Sequence, residues 1–210
     1  TPVQPILGLS QVLLAEKKGG ERPELVRVIN RNAERLQQLI ENILDVTKIE
    51  SQSLHLKMQR FNLNDLVSKI ILEHKNQIQR QQSDKKIILD SKDEINIVGD
   101  KSRISHTISN LPGHSIKFTE EEGGIFISVE RNKEADKNVV IVSVNNTGTG
   151  VDPEMVPRLF TKFASKSEMG GTGLGLYISK SIIDAHNGRI WCENNSDGKG
   201  ATFSFSLPLD

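Results

Sequence analysis

The sequence predicts an α+β chain: a helical hairpin suited to a dimeric four-helix bundle, followed by an α/β sandwich with its helices on one face. Three observations carry this. The first fifty residues repeat apolar positions with helical period, broken once at Gly19-Gly20. Beyond Ser51, short β-like runs alternate with helix-period segments. Two glycine strings punctuate the second part: Gly148-Thr149-Gly150 ends a β-like run, and Gly171-Thr172-Gly173-Leu174-Gly175 opens an apolar-periodic segment. The division falls between residues 1–50 and 51–210.

In the first helix, Val3, Ile6, Leu7, Val12, Leu13 and Leu14 form a stripe, and Pro2 and Pro5 suit its opening turn. Pro23 suits the start of the second helix. There Leu25, Ile29, Leu36, Leu39, Ile43 and Val46 define a coiled-coil seam, with Asn32 at a position a strict repeat makes apolar. Two such faces exceed what one hairpin can bury, so a homodimer through the hairpin is expected. Leu54, Leu56 and Met58 then alternate as in a strand. A helix follows, capped by Asn62 or Asn64, with Leu66, Val67, Ile70, Ile71, His74 and Ile78 on one side. Strands are expected at 87–89 and 95–98, a helix at 101–117, and strands at 125–130 and 139–144. The helix opened by the second glycine string precedes a terminal hairpin of 189–193 and 201–207.

Composition narrows the function. Of 210 residues, 27 are Lys or Arg and 27 Asp or Glu, so no net field draws the chain to nucleic acid or anionic lipid. The single cysteine, Cys192, excludes an internal disulfide and reads as a reduced core thiol, which suits a cytoplasmic setting. No apolar run approaches a membrane span, so no membrane contact is expected of this segment. The chain starts inside a helical pattern, which reads as a cut within a helix.

The glycines suggest the chemistry. Glycine lets a backbone pass close to a ligand, and the N–H groups opening a helix favour an anion. A nucleotide held between two such loops is therefore expected. Between them lies Leu159-Phe160-Thr161-Lys162-Phe163, and before both lies Asn110-Leu111-Pro112-Gly113-His114-Ser115-Ile116-Lys117-Phe118-Thr119. In this order the segments resemble the asparagine box, first glycine box, phenylalanine box and second glycine box of sensor histidine kinases, relatives of the gyrase, Hsp90 and MutL ATPases. The opening Thr1-Pro2 resembles the tail of the family's phosphoacceptor segment, His-Glu-x-Arg-Thr-Pro, and no histidine here fills the acceptor's place.

The resemblance implies a fold of the histidine kinase/Hsp90-like ATPase type, ATP and Mg²⁺ as cofactors, and a response regulator receiver domain as partner. It implies Asn110 as a Mg²⁺ ligand and Lys117 on the phosphates. Gly148 and Gly150 would form the turn beneath adenine, with Thr202 near its ring. Gly171, Gly173, Leu174 and Gly175 would form the phosphate-facing loop. Phe160 and Phe163 would anchor a lid whose Lys162 and Lys166 meet phosphates. The implied activity is transfer of a γ-phosphoryl group from ATP to a histidine; the alternative is a non-catalytic dimerisation module.

Three positions depart from the family pattern. Asn146 stands where an aspartate accepts a hydrogen bond from the adenine amine, and losing a charge-assisted bond costs on the order of 1–2 kcal/mol. His114 stands where a second asparagine binds Mg²⁺, an ion that prefers oxygen. Pro112-Gly113 interrupts a helix, at a cost of about 3 kcal/mol for the proline, and predicts a kink between Asn110 and Lys117.

Overall fold

The structure is a computed structural model describing residues 3–15, 23–51, 53–80, 82–91, 94–134, 137–164 and 172–209. The chain forms two compact units, Thr1–Leu54 and His55–Asp210.

The first unit is an antiparallel helical pair, α1 (Val3–Ala15) and α2 (Pro23–Glu50). The shielded side of α2 follows a strict seven-residue repeat through Leu25, Asn32, Leu39 and Val46, joined by Val28 and Asn42. Asn42, not Ile43, lies on this seam: Asn42 is 5% exposed and Ile43 56%. Asn42 follows Val28 by two sevens and so stays on the shielded side, whereas Ile43 is turned about 100° from it. Asn32 satisfies its buried amide by donating to the Val28 carbonyl at 2.8 Å. A second apolar set, Leu7, Val12, Val26, Ile40, Ile43 and Leu44, stays exposed.

The second unit opens with β1 (Met58–Asn62). Leu54 and Leu56 lie outside it, although they alternate with Met58. The strand exists only where β3 (Asn96–Asp100) can pair with it: Met58 faces Asp100, the last residue of that ladder. Beyond, the Lys57 N–H donates to the Asp100 carboxylate instead. Asn62 caps α3 (Leu63–Arg80) by accepting from the Asp65 N–H at 3.1 Å, while Asn64 accepts from the Ile95 N–H.

The main sheet comprises β2 (Lys86–Ser91), β4 (Gly124–Glu134), β5 (Lys137–Asn146), β6 (Arg189–Asn194) and β7 (Ala201–Pro208). Its order is β2-β4-β5-β7-β6, antiparallel except for the parallel β2–β4 pair. Helices α3, α4 (Lys101–Phe118) and α5 (Gly175–Ala185) cover one face. Their Val67, Ile104, Leu111 and Ile183 meet Ile125, Val142, Phe203 and Phe205 of the sheet in one core. The helix α4 runs unbroken through Pro112, whose ring is buried.

Candidate functional site

The helix α4 is the spine of the site, and its start is firmly held. The Asp100 carboxylate accepts from the N–H groups of Ser102, Arg103 and Lys57. Burial works to raise its pKa, but the donations from Lys57 and Arg103, with the Arg103 charge, outweigh that and hold it below the ordinary value. Buried His186, the C-terminal cap of α5, accepts the Asp100 N–H at its Nε2 (2.9 Å). That contact requires an unprotonated Nε2, so Nδ1 carries the proton and donates to the Ile182 carbonyl at 2.7 Å. The start of α4 and the end of α5 are thereby joined.

Farther along α4, Asn110, His114 and Lys117 share a face by helical spacing. Asn110 donates through Nδ2 to Ser179 Oγ on α5 at 3.0 Å. Its Oδ1 lies over Gly175, where an added Cβ would come within 2.6 Å of it. Any side chain there would displace the asparagine. The Leu174 residue that precedes α5 is buried and offers no side-chain cap to the opening N–H groups of α5. Gly173, at φ +66°, packs on the Phe163 backbone, whose N–H donates to the Gly173 carbonyl at 3.0 Å.

The other end of α4 meets the first glycine loop. A Cβ on Gly148 would collide with the carbonyl of Phe118, the last residue of α4. Asn146, 3% exposed, accepts the Gly148 N–H at its Oδ1 (3.0 Å). Gly150 takes φ +76°, and Asn194 clamps the next residue twice: it accepts from the Val151 N–H and donates to the Val151 carbonyl, both at 2.7 Å. Asn195 donates to the carbonyls of Asn146 and Lys199, and Gly200, at φ +78°, lies against that same Asn146 carbonyl. The loop is thus pinned by α4 on one side and by the β6–β7 turn on the other.

Both glycine loops therefore rest on one helix, at Asn110 and at Phe118. Eight residues of helix separate those contacts, about 12 Å. Residues 99–210 match the family of histidine kinase-, DNA gyrase B- and HSP90-like ATPases. The chain belongs to that family. Residues 1–52 match the His kinase A phospho-acceptor domain, which places the chain among the sensor histidine kinases rather than their ATPase cousins.

Kinase relatives match this chain over 72% to all of its length. Hybrid signal transduction histidine kinase L of Dictyostelium discoideum is 32% identical over 99% of this chain, which spans 12% of that protein. The nucleotide-free catalytic domain of histidine kinase ThkA is 31% identical, with a TM-score of 0.63, over 72% of this chain and 97% of that one. ThkA in its complex with the response regulator protein TrrA is 28% identical, with a TM-score of 0.67, over 100% of this chain and 59% of that one.

The other residues singled out in the sequence have the following surroundings. The His114 ring packs against Phe118 (4.6 Å) and Phe203 (5.1 Å) instead of standing open to a metal. Burial, helped by the Lys117 charge, lowers its pKa to about 4, so it is neutral near pH 7. Thr202 does not join Asn146. It faces Asn145 across the β5–β7 ladder, and its hydroxyl lies 2.8 Å from Asn145 Nδ2 and from Asn195 Oδ1, on the sheet's other face. Ala201, buried, shares strand parity with Phe203 and Phe205 and lies on the face opposite Thr202. Lys162 lies over the Tyr177 ring at 5.2 Å, and exposed Lys117 is 5.6 Å from the Phe118 ring. Phe160 packs on the core as expected of an anchor, whereas Phe163 is 71% exposed. Gly171 and Lys166 lie outside the described residues.

For Mg²⁺ the donor set is sparse. Among the described residues no three His, Cys, Asp or Glu side chains cluster to hold a metal. His114 does not fit, being an imidazole packed between two phenyl rings. Asn110 Oδ1 does fit, as a single neutral oxygen beside the opening of α5. Asn194 and Asn195, which hold the first loop, carry no signal in the sequence beyond polarity at a strand end. Cys192 is buried; burial, aided by Glu193, raises its thiol pKa to about 12, so it is inert.

Proposed function

We propose that this chain is the kinase core of a two-component sensor, binding ATP and transferring its γ-phosphoryl group to a histidine. The observation that supports this best is the pair of glycine loops seated eight residues apart on one helix, a span of about 12 Å that a nucleoside triphosphate can bridge. The uncapped start of α5 suits the phosphates, and the pinned loop at Gly148 suits the base. Gly173 and Gly175 keep side chains out of the phosphate path, and Gly148 and Gly150 keep them out of the base path. Lys117 and Lys162 are the cations near enough to offset phosphate charge. When bound, Mg²⁺ would neutralise charge on the triphosphate, with Asn110 Oδ1 as the oxygen this chain offers. The protein's part is positioning and electrostatics, as phosphoryl transfer requires.

The exposed apolar set on α1 and α2 supports a homodimer through the hairpin, and the likeness to ThkA, solved with TrrA, supports a receiver domain as the next acceptor. No helix among the described residues is long and apolar enough to cross a membrane. A reaction that consumes ATP and signals to a receiver domain supports a cytoplasmic location for this segment. The test is to extend the chain ahead of Thr1 with the family's His-Glu-x-Arg segment and incubate it with γ-labelled ATP and Mg²⁺. Acid-labile, base-stable phosphate on the introduced histidine is expected. Failure to label while the extended chain is folded and dimeric contradicts the proposal.

A further inference from the structure

We infer that His186 is a positioning residue for the triphosphate, holding α5 at one axial setting along α4 so that its opening turn stays beside Asn110. This rests on the proposed nucleotide reading and adds what maintains the phosphate half of the seat. Two polar ties join the helices: Asp100 to His186, and Asn110 to Ser179. The order rises along α4 and falls along α5, so the pair is antiparallel, with the ties about 15 Å apart on α4. Between them lie buried aliphatic side chains, Ile104 and Ile108 on α4 and Ile182 and Ile183 on α5. Apolar contact is non-directional, and the polar ties, with fixed donors and acceptors, mark the axial setting. The Asn110 tie alone would leave α5 free to pivot about it. The His186 tie removes that freedom.

The His186 ring suits this task. Its Nδ1 donates to the Ile182 carbonyl of its own helix at 2.7 Å, which fixes the ring relative to α5. Its Nε2 accepts the Asp100 N–H at 2.9 Å, and the residue is only 4% exposed. Gly99 closes over it: a Cβ there would fall 3.3 Å from His186 Cδ2 and 2.6 Å from Ile104 Cδ1. The partner is equally fixed, since the Asp100 carboxylate accepts from the N–H groups of Ser102, Arg103 and Lys57. Capping the end of α5 needs only the Nδ1 bond. The Nε2 bond reaches another element, and it sets α5 against α4. At the opposite end of α5, Asn110 Oδ1 lies over Gly175, so a change in axial setting moves the uncapped opening turn relative to Asn110. The first glycine loop is independent of this tie, being held by Asn194, Asn195 and the Phe118 carbonyl.

The experiment separates the two ring bonds. His186→Asn keeps a donor for the Ile182 carbonyl and falls short of Asp100, whereas His186→Gln extends an acceptor to the reach of Nε2. The whole chain and both variants are loaded with ribose-labelled fluorescent ATP and displaced by ATP, inorganic triphosphate and adenosine. His186→Asn is expected to weaken ATP and inorganic triphosphate about tenfold and adenosine less than about twofold, and His186→Gln to bring ATP back within about threefold. No loss in His186→Asn, an equal loss for ATP and adenosine, or no recovery in His186→Gln overturns the positioning role. Should a variant fail to fold, the unaltered ¹⁵N-labelled chain decides. Inorganic triphosphate should shift the Asp100 amide and His186 Nε2 resonances, about 16 Å from the opening turn of α5, and adenosine should leave them in place. Resonances that stay still with triphosphate bound overturn the role. Failure of the unaltered chain to bind labelled ATP sinks the nucleotide reading itself.

Discussion

The two glycine loops that rest on α4 are held differently. At Phe118 the first glycine loop is held by the Asn146 oxygen, by two bonds from Asn194 and by Asn195, with Gly200 pressed against its backbone. At Asn110 the described part of the second loop has one backbone bond, Phe163 N–H to Gly173 carbonyl, one local side-chain bond, Leu174 N–H to Thr172 Oγ1, and the Asn110 side chain over Gly175. The first loop is formed before any ligand arrives. The second leaves the opening N–H groups of α5 for a ligand to satisfy. On the proposed reading, a rigid base seat and a phosphate seat completed on binding would let one protein be selective and still release its product.

Matched glycine substitutions break this comparison most forcefully. In Gly148→Ala the new methyl meets a helix-end carbonyl that cannot retreat, so a loss of more than about 3 kcal/mol is expected, seen as a lowered melting temperature together with lost nucleotide binding. His114 offers the next effect. Its folded pKa, about 4, lies below the ordinary 6.5, so the unfolded chain takes up the proton first. Stability should be flat above pH 6.5 and fall between pH 6.5 and about 4, by on the order of 3 kcal/mol at most. Denaturant titrations across that range should show the slope, and His114→Asn should remove it.

Asn194→Ala deletes both bonds to Val151 and should cost about 1–2 kcal/mol. The loss should be confined to the first loop, read as faster amide exchange at Gly150 and Val151 with no change at Leu176. The smallest change in stability is expected for Gly175→Ala, within about 1 kcal/mol, because the neighbour is a movable asparagine side chain and alanine favours a helix. Its effect should appear in binding, as a loss of about tenfold in triphosphate affinity with little change for the nucleoside.

The same contrast explains what was legible in the sequence. Periodicity located α2 to α5 and the long strands, because burial on one face writes itself into local spacing. The glycine strings were legible because close backbone approach admits no other residue. What escaped depends on parity or on distant partners. Thr202 and Ala201 differ by one residue, which in a strand means opposite faces. Leu54 and Leu56 alternate as a strand should, yet no partner strand reaches them. Pro112 predicts a kink in α4; the helix nonetheless continues through it, with Leu111, Pro112 and Ser115 buried, because packing sustains a helix where local preference opposes it. The amide orientation of Asn146 could not be read at all, since it is set by the Gly148 N–H through a turn that only the folded loop makes.

The central claim, one nucleotide bridging both loops, is tested most directly by amide resonances of the ¹⁵N-labelled chain. Adding the nucleoside alone should shift Gly148 and Gly150, adding inorganic triphosphate should shift Gly173 and Leu176, and adding the nucleoside triphosphate should shift both sets at one concentration. If the full nucleotide moves one set and leaves the other stationary, the two loops do not share a ligand.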